Sequence, residues 1–398
     1  MREYVFLILV AAIITYAATP AIRMLAEALD AFTPVRDRDV HSEPIPRLGG
    51  VSMFLGFGAA LVVASVLPFS SQMFRTGELW GVLGGAAVVC VVGAVDDVHE
   101  LDPLVKFAGQ LVAAGIMAFQ GVQFFSLPIG STVVLPAPFL VGLTIFVVVL
   151  LTNAVNFVDG LDGLAAGIVV IAASSFFAYA YLISRSYSPP NVFTASAFIS
   201  AALIGICLGF LPHNFHPARI FMGDSGALLL GLLLAAATIS ITGTVTGADV
   251  STNTAVALLA PLVIPISIVL LPVVDVVLAV VRRTWRGQSP FQADAQHLHH
   301  RMLRFGHGHR RAVLLLWFWA ATAAFGVVAF VFVTPWAAVG VLVAMATTAL
   351  ILTMWLPRAT IAGRTPVEVG QLPNSPHADD EAPPTRTGRG NDLSASER

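Results

Sequence analysis

The chain has 398 residues, 57% hydrophobic and only 11% charged, with a mean hydropathy of +0.84. Soluble domains carry about 25% charged residues, so this balance excludes an ordinary soluble protein and points to a polytopic membrane protein. The net charge of −2 offers no bulk attraction for nucleic acid, and Cys90 and Cys207, both inside apolar runs, give neither a disulfide framework nor metal spacing.

A bilayer span needs about 20 apolar residues. By that rule the chain has about eleven candidate helices, at roughly 4–24, 49–68, 79–95, 104–121, 137–153, 163–184, 193–211, 225–243, 255–281, 312–333 and 336–356. The first stands where a secretory leader would, but its apolar stretch is long and its start is not clearly basic, so it reads as an uncleaved span. The third to fifth are short. The ninth carries Pro261, Pro265 and Pro272, which predict a kink or break. GICLG at 205–209 fits close helix packing. The expected fold class is all-α, a polytopic integral membrane domain over 1–361. The tail at 362–398, rich in Pro, Gly, Ser and charge, cannot bury a core and is expected to be disordered.

The loops then alternate sides. One side holds 25–48, 96–103, 154–162, 212–224, 282–311 and the tail; the other holds 69–78, 122–136, 185–192, 244–254 and a turn near Pro335. Of 21 basic residues, only Arg2, Arg75 and Arg185 fall on the second side. The positive-inside rule makes the first side cytoplasmic, with the N-terminus outside, the C-terminus inside, and the plasma membrane as the location.

Every polar cluster falls on that cytoplasmic side. Asp96-Asp97 ends the third candidate span. Adjacent side chains on a helix diverge by about 100°, so one carboxylate faces a site while the other orients it, unless both are simply a solvated helix end. Asn153, Asn156, Asp159 and Asp162 follow at i, i+3, i+6 and i+9, near one face if the whole stretch is helical. Polar packing between helices is the alternative. Asp224, between Gly223 and Gly226, reads as a Mg²⁺ ligand or as a helix N-cap. The segment 282–311 holds five histidines and seven arginines. His297, His299 and His300 have no cysteine companions, and the surrounding cations disfavour zinc, so phosphate or anionic-lipid contact suits them better. Carboxylates for a divalent ion, cations for phosphates and a bilayer address together describe phosphoryl transfer onto a lipid. A transporter would place polar residues at the midplane and on both faces.

Five stretches carry a resemblance: RDVHSEPIPRLGG at 38–50, DDVHELDPLVKFAGQ at 96–110, NAVNFVDGLDGLAAG at 153–167, FMGDSG at 221–226 and SPFQADAQHLHHRMLRFG at 289–306. They resemble, in order and on one side, the polyprenyl-phosphate N-acetylhexosamine-1-phosphate transferases, the WecA/MraY superfamily. HLHH with SPF upstream is more similar to the WecA branch, which uses UDP-N-acetylglucosamine (UDP-GlcNAc), than to the MraY branch, which uses UDP-N-acetylmuramoyl-pentapeptide.

The resemblance implies roles. Asp224 is the Mg²⁺ ligand, with Mn²⁺ as a substitute. Asp96, Asp97, Asp162, His297, His299 and His300 are the catalytic set. Arg38, His41, Arg47, Lys106, Asn153, Asn156, Asp159, Phe221 and Arg301 bind substrate, Phe221 by stacking on uracil. Lys106, which reaches the nucleotide sugar, is the only lysine against twenty arginines. The implied partners are UDP-GlcNAc, undecaprenyl or decaprenyl phosphate and membrane lipids, without nucleic acid; a homodimer stays open. Asp275, in the ninth span, supports the site helix or pairs with a loop cation. Arg38-Asp39 precedes His41 where the family usually has Arg-Lys, which removes the expected cation at position 39. Transfer of another N-acetylhexosamine phosphate, the muramoyl-pentapeptide included, is the alternative.

Overall fold

The computed structural model describes residues 1–33, 44–124, 127–129, 131–133, 136–187, 193–242 and 308–361. Ten helices run through them: α1 Arg2–Ala28, α2 Gly49–Val66, α3 Glu78–His99, α4 Pro103–Phe119, α5 Ala137–Val158, α6 Leu164–Tyr187, α7 Ala195–Asn214, α8 Gly223–Ile241, α9 His309–Phe332 and α10 Pro335–Ile361. Among the described residues nine of these are long and apolar enough to cross a membrane, and α4 is a shorter apolar helix. The predicted spans outside 255–281 each have their helix. That ninth span, with Asp275, and the tail lie outside the described residues.

Three features depart from the sequence reading. The loop at 122–136 contains a hairpin of two three-residue strands, β1 Leu127–Ile129 and β2 Ser131–Val133, paired antiparallel with Leu127 opposite Val133. The apolar-run criterion cannot register strands so short. Helix α3 runs about a turn past the predicted end, so Asp96 and Asp97 are helical. Helix α5 continues to Val158 and stops there, with Asp159 at φ −75° and ψ 65°. Asn153 and Asn156 therefore share a helix, whereas Asp159 and Asp162 lie in the turn that follows. The continuous polar face expected over 153–162 does not form, because the glycines at 160 and 163 favour a turn over a fourth helical repeat.

Helix α8 is the axis of the bundle. It packs on α2, α3, α5 and α7 and is buried along nearly its whole length. Its sequence, GALLLGLLLAAATISI after Asp224, is apolar all round, as a helix enclosed by other helices must be. Helix α10 and the outer face of α1, with Val5, Phe6, Leu9 and Ile13 exposed, lie at the periphery. Exposed apolar faces of this extent belong against lipid. The GICLG segment packs α7 on α1: a Cβ at Gly205 or Gly209 would overlap the α1 backbone at Ile8 or Ala12.

Candidate active site

The site forms where α3, α4, α5 and α8 end on one side of the bundle. The first turn of α8 has unpaired backbone N–H groups, as every helix start does. They are capped from another helix. Asp97 Oδ1 accepts from the Asp224 N–H at 2.8 Å; Oδ2 accepts from the Ser225 N–H at 3.2 Å and from Ser225 Oγ at 2.8 Å. A carboxylate at a helix N-terminus also meets the positive end of the helix dipole. The approach is close. Gly223 has φ +67°, and a Cβ there would collide with the Asp97 carboxylate; a Cβ at Gly93 would overlap the Ser225 backbone.

Because Asp97 caps α8, the side chain of Asp224 is left for other work. Its Oδ2 accepts from Lys106 Nζ at 3.1 Å, and the same ammonium reaches Asp96 Oδ2 at 3.2 Å. Asp96 Oδ1 takes the Leu101 N–H at 2.8 Å, which fixes the turn after α3. The two neighbouring aspartates thus diverge as their helical spacing predicts, Asp97 to the α8 backbone and Asp96 to the lysine. Lys106 is placed by the start of α4, where Asp102 caps the Leu104 N–H at 2.8 Å and Pro103 occupies the first turn. One turn on, Gln110 Oε1 accepts from Asn153 Nδ2 at 2.8 Å and Thr152 Oγ1 at 3.3 Å, which locks α4 to α5 and orients Asn153. Asn156 follows on the same helix, half-buried.

Arg47 and Phe221 are brought together by backbone pairing. Phe221 N donates to the Pro46 carbonyl at 2.9 Å, Gly49 N to the Phe221 carbonyl at 3.0 Å and Gly50 N to the Met222 carbonyl at 2.9 Å. Arg47 Nε donates to Thr33 Oγ1 at 2.8 Å. Asp159 lies within this field. Burial first, and then the like charges of Asp224, Asp97 and Asp162, push its carboxyl up to about 7, with Arg47 opposing.

Asp162 is buried and held from the loop before α8. Its Oδ2 lies 2.8 Å from His216 Nδ1 and accepts from the Ala218 N–H at 3.1 Å. Asn214 braces the same turn: its Oδ1 accepts from the Gly163 N–H at 3.0 Å and its Nδ2 donates to the Ile220 carbonyl at 3.0 Å. Across from them the start of α9 docks, with His309 stacked on His216 at 4.1 Å between ring centres and Arg310 Nε donating to the His216 carbonyl at 3.0 Å. Ligand atoms of Asp162, His216 and His309 lie within 4.8 Å of one another. The Asp162–His216 pair within this group is the 2.8 Å contact just described. The Asp162–His216 hydrogen bond, the stacking of His309 on His216 and the Arg310 contact together clamp this loop to the start of α9.

The sequence reading did not assign His216, Asn214, Gln110 or Ser225. HNFHPAR precedes FMGDSG with only Ile220 between them, and that nearness is the signal that would have drawn in His216. Of the predicted set, Asp96, Asp97, Lys106, Asn153, Asn156, Asp159, Asp162, Phe221, Asp224 and Arg47 lie at this end of the bundle. Arg38, His41, His297, His299, His300 and Arg301 lie outside the described residues. Asp159 feels the charges of Asp224, Asp97 and Asp162, and Asp224 that of Asp96, so carboxylates outnumber Lys106 and Arg47 here; hard oxygen donors of this kind fit Mg²⁺ or Mn²⁺.

Comparison with known proteins gives the family. Residues 79–242, which carry α3 to α8, match the glycosyl transferase family 4 model. The chain is 44% identical over 341 residues to a decaprenyl-phosphate N-acetylglucosaminephosphotransferase of Mycobacterium tuberculosis, covering 84% of each chain. It is 35% identical to a probable undecaprenyl-phosphate N-acetylglucosaminyl 1-phosphate transferase of Bacillus subtilis, over 75% of this chain and 77% of that one. A phospho-N-acetylmuramoyl-pentapeptide-transferase of Desulforudis audaxviator is 31% identical, over 77% of this chain and 92% of its own. The chain belongs to glycosyl transferase family 4, the WecA/MraY superfamily of membrane transferases, on its WecA-like branch.

Proposed function

We propose that the protein transfers N-acetylglucosamine 1-phosphate (GlcNAc-1-phosphate) from UDP-GlcNAc to a membrane polyprenyl phosphate, the lipid-linked first step of a cell-wall or surface polysaccharide. The observation that carries the reading is the placement of Asp224. Asp97 fixes the helix start that bears it, and Lys106 stands between it and Asp96. The 44% identity to a decaprenyl-phosphate enzyme supports the GlcNAc donor over the muramoyl-pentapeptide, whose named transferase matches at 31%. The site faces the cytoplasm of the plasma membrane in this reading, where nucleotide sugars are made.

An oxygen of the lipid phosphate attacks the β-phosphorus. The bond from that phosphorus to the bridging oxygen breaks, and UMP leaves with the electron pair. A phosphate monoester has a second pKa of about 6, so the nucleophile is largely ionised at neutral pH and needs little help from a base. Mg²⁺, when bound at Asp224, supplies neutralisation of the diphosphate charge. Asp97 keeps Asp224 and the α8 N-terminus aimed at the phosphates, whose charge the helix end favours. Lys106 donates to phosphate oxygens, and Phe221, Asp159, Asp162 and Arg47 hold the nucleoside side.

The test is UDP-GlcNAc labelled in the sugar and in the β-phosphorus, given to purified protein with polyprenyl phosphate and Mg²⁺. Both labels in the lipid with UMP released is the expected result. Sugar label alone, with UDP released, is glycosyl transfer and sinks the mechanism. Activity only on the muramoyl-pentapeptide donor moves the substrate.

A further inference from the structure

Lys106 stands in an unusual position for a substrate-binding cation. Its Nζ lies 3.1 Å from Asp224 Oδ2 and 3.2 Å from Asp96 Oδ2, so it already neutralises the carboxylate pair that a divalent ion at Asp224 would meet. A hard dication binds carboxylate oxygen at about 2.0–2.1 Å, far inside an ammonium contact, so the two cations compete for the same oxygens. The other contacts around them are committed. Asp97 is spent on the α8 backbone, and Asp96 Oδ1 on the Leu101 N–H. The side chain of Lys106 is 27% exposed, which leaves its head free to swing toward solvent and a phosphate.

We propose that Lys106 is a resident counter-ion which exchanges with the divalent cation. In ligand-free protein it neutralises Asp96 and Asp224. The arriving ion displaces it from those carboxylates, and the donor's diphosphate oxygens become its new acceptors. Free protein therefore binds the divalent ion weakly, and ion and nucleoside diphosphate load together. The inference rests on Asp224 as the ion site.

The experiment counts free Mn²⁺ by electron paramagnetic resonance during titration of detergent-purified protein, without a glycosyl acceptor. Lys106→Gln binds Mn²⁺ at least about tenfold tighter than wild type, because the competing charge-assisted contacts are gone, while Lys106→Arg stays near wild type. UDP tightens Mn²⁺ binding in wild type more than in Lys106→Gln. Equal Mn²⁺ affinity in Lys106→Gln and wild type overturns the exchange. An Asp224→Asn variant that keeps wild-type Mn²⁺ affinity fails the site reading instead, because the ion then lies elsewhere. Since Lys106 is the only lysine, reductive methylation with ¹³C-formaldehyde labels just its amine and the N-terminus. The Lys106 signal of wild type shifts on addition of Mg²⁺ with UDP; a signal that does not move also overturns the exchange.

Discussion

Asp97 and Asp224 are both aspartates of the site, yet they should fail differently. Asp97 is buried and accepts three hydrogen bonds from the start of α8. Asp97→Asn keeps one carbonyl oxygen and is expected to destabilise the protein by about 1–3 kcal/mol, seen as a lower unfolding temperature in detergent, along with lost turnover. Asp224→Asn is expected to unfold near the wild-type temperature and lose at least about a hundredfold in kcat, since its carboxylate braces no backbone among the described residues and, in the proposed function, would hold the ion. Asp159 gives a pH signature. Its carboxyl rises from an ordinary 3.8 to about 7, so the folded protein holds a proton that the unfolded chain has released. Its contribution to stability is complete below about pH 4 and is lost as the pH climbs through 7. In ion-free buffer, Asp159→Asn should flatten the fall in unfolding temperature between pH 5 and pH 8; equal slopes would remove Asp159 as the cause. Residue identities in this region were legible because polar side chains in apolar sequence stand out. Partners were not: Asp97 and Asp224 are 127 positions apart, and nothing local says that one caps the other's helix.

At the scale of elements, the site depends on helices approaching closer than side chains allow. Gly93 on α3 faces the Ser225 backbone, and a methyl group there has no room. Gly93→Ala should push α3 from α8, cost about 1–3 kcal/mol and stretch the Asp97 cap, so stability and turnover fall together. Asn214→Ala should act through the loops, leaving the Gly163 N–H and the Ile220 carbonyl without their partner at about 1–3 kcal/mol each. Helix existence was readable from apolar runs, which a bilayer imposes. Helix ends were less so: α3 and α5 run past their apolar stretches because caps and turns, not hydropathy, stop a helix. That is why Asp159 and Asp162 belong to a turn and not to the face that their spacing suggested.

For the whole molecule, the proposed orientation has a direct check. Cys90 and Cys207 are buried, so the native chain gives little background to a membrane-impermeant maleimide. Ser71→Cys, on the short turn before α3, should label in intact cells, and Glu27→Cys, exposed near the end of α1, only after permeabilisation. The reverse pattern would put the site outside. The sequence by itself determined the solvent of this protein and its helical class and singled out the polar residues that the fold gathers at one end, because each follows from local composition and from what a bilayer tolerates. Only the tertiary structure decided which aspartate caps a helix and which is left facing the lysine, that His216 joins Asp162 to the start of α9, and that the single lysine lies between two carboxylates from different helices. Those pairings are set by packing α8 within the ring of α2, α3, α5 and α7, and contacts between segments a hundred residues apart exist only once the chain has closed on itself.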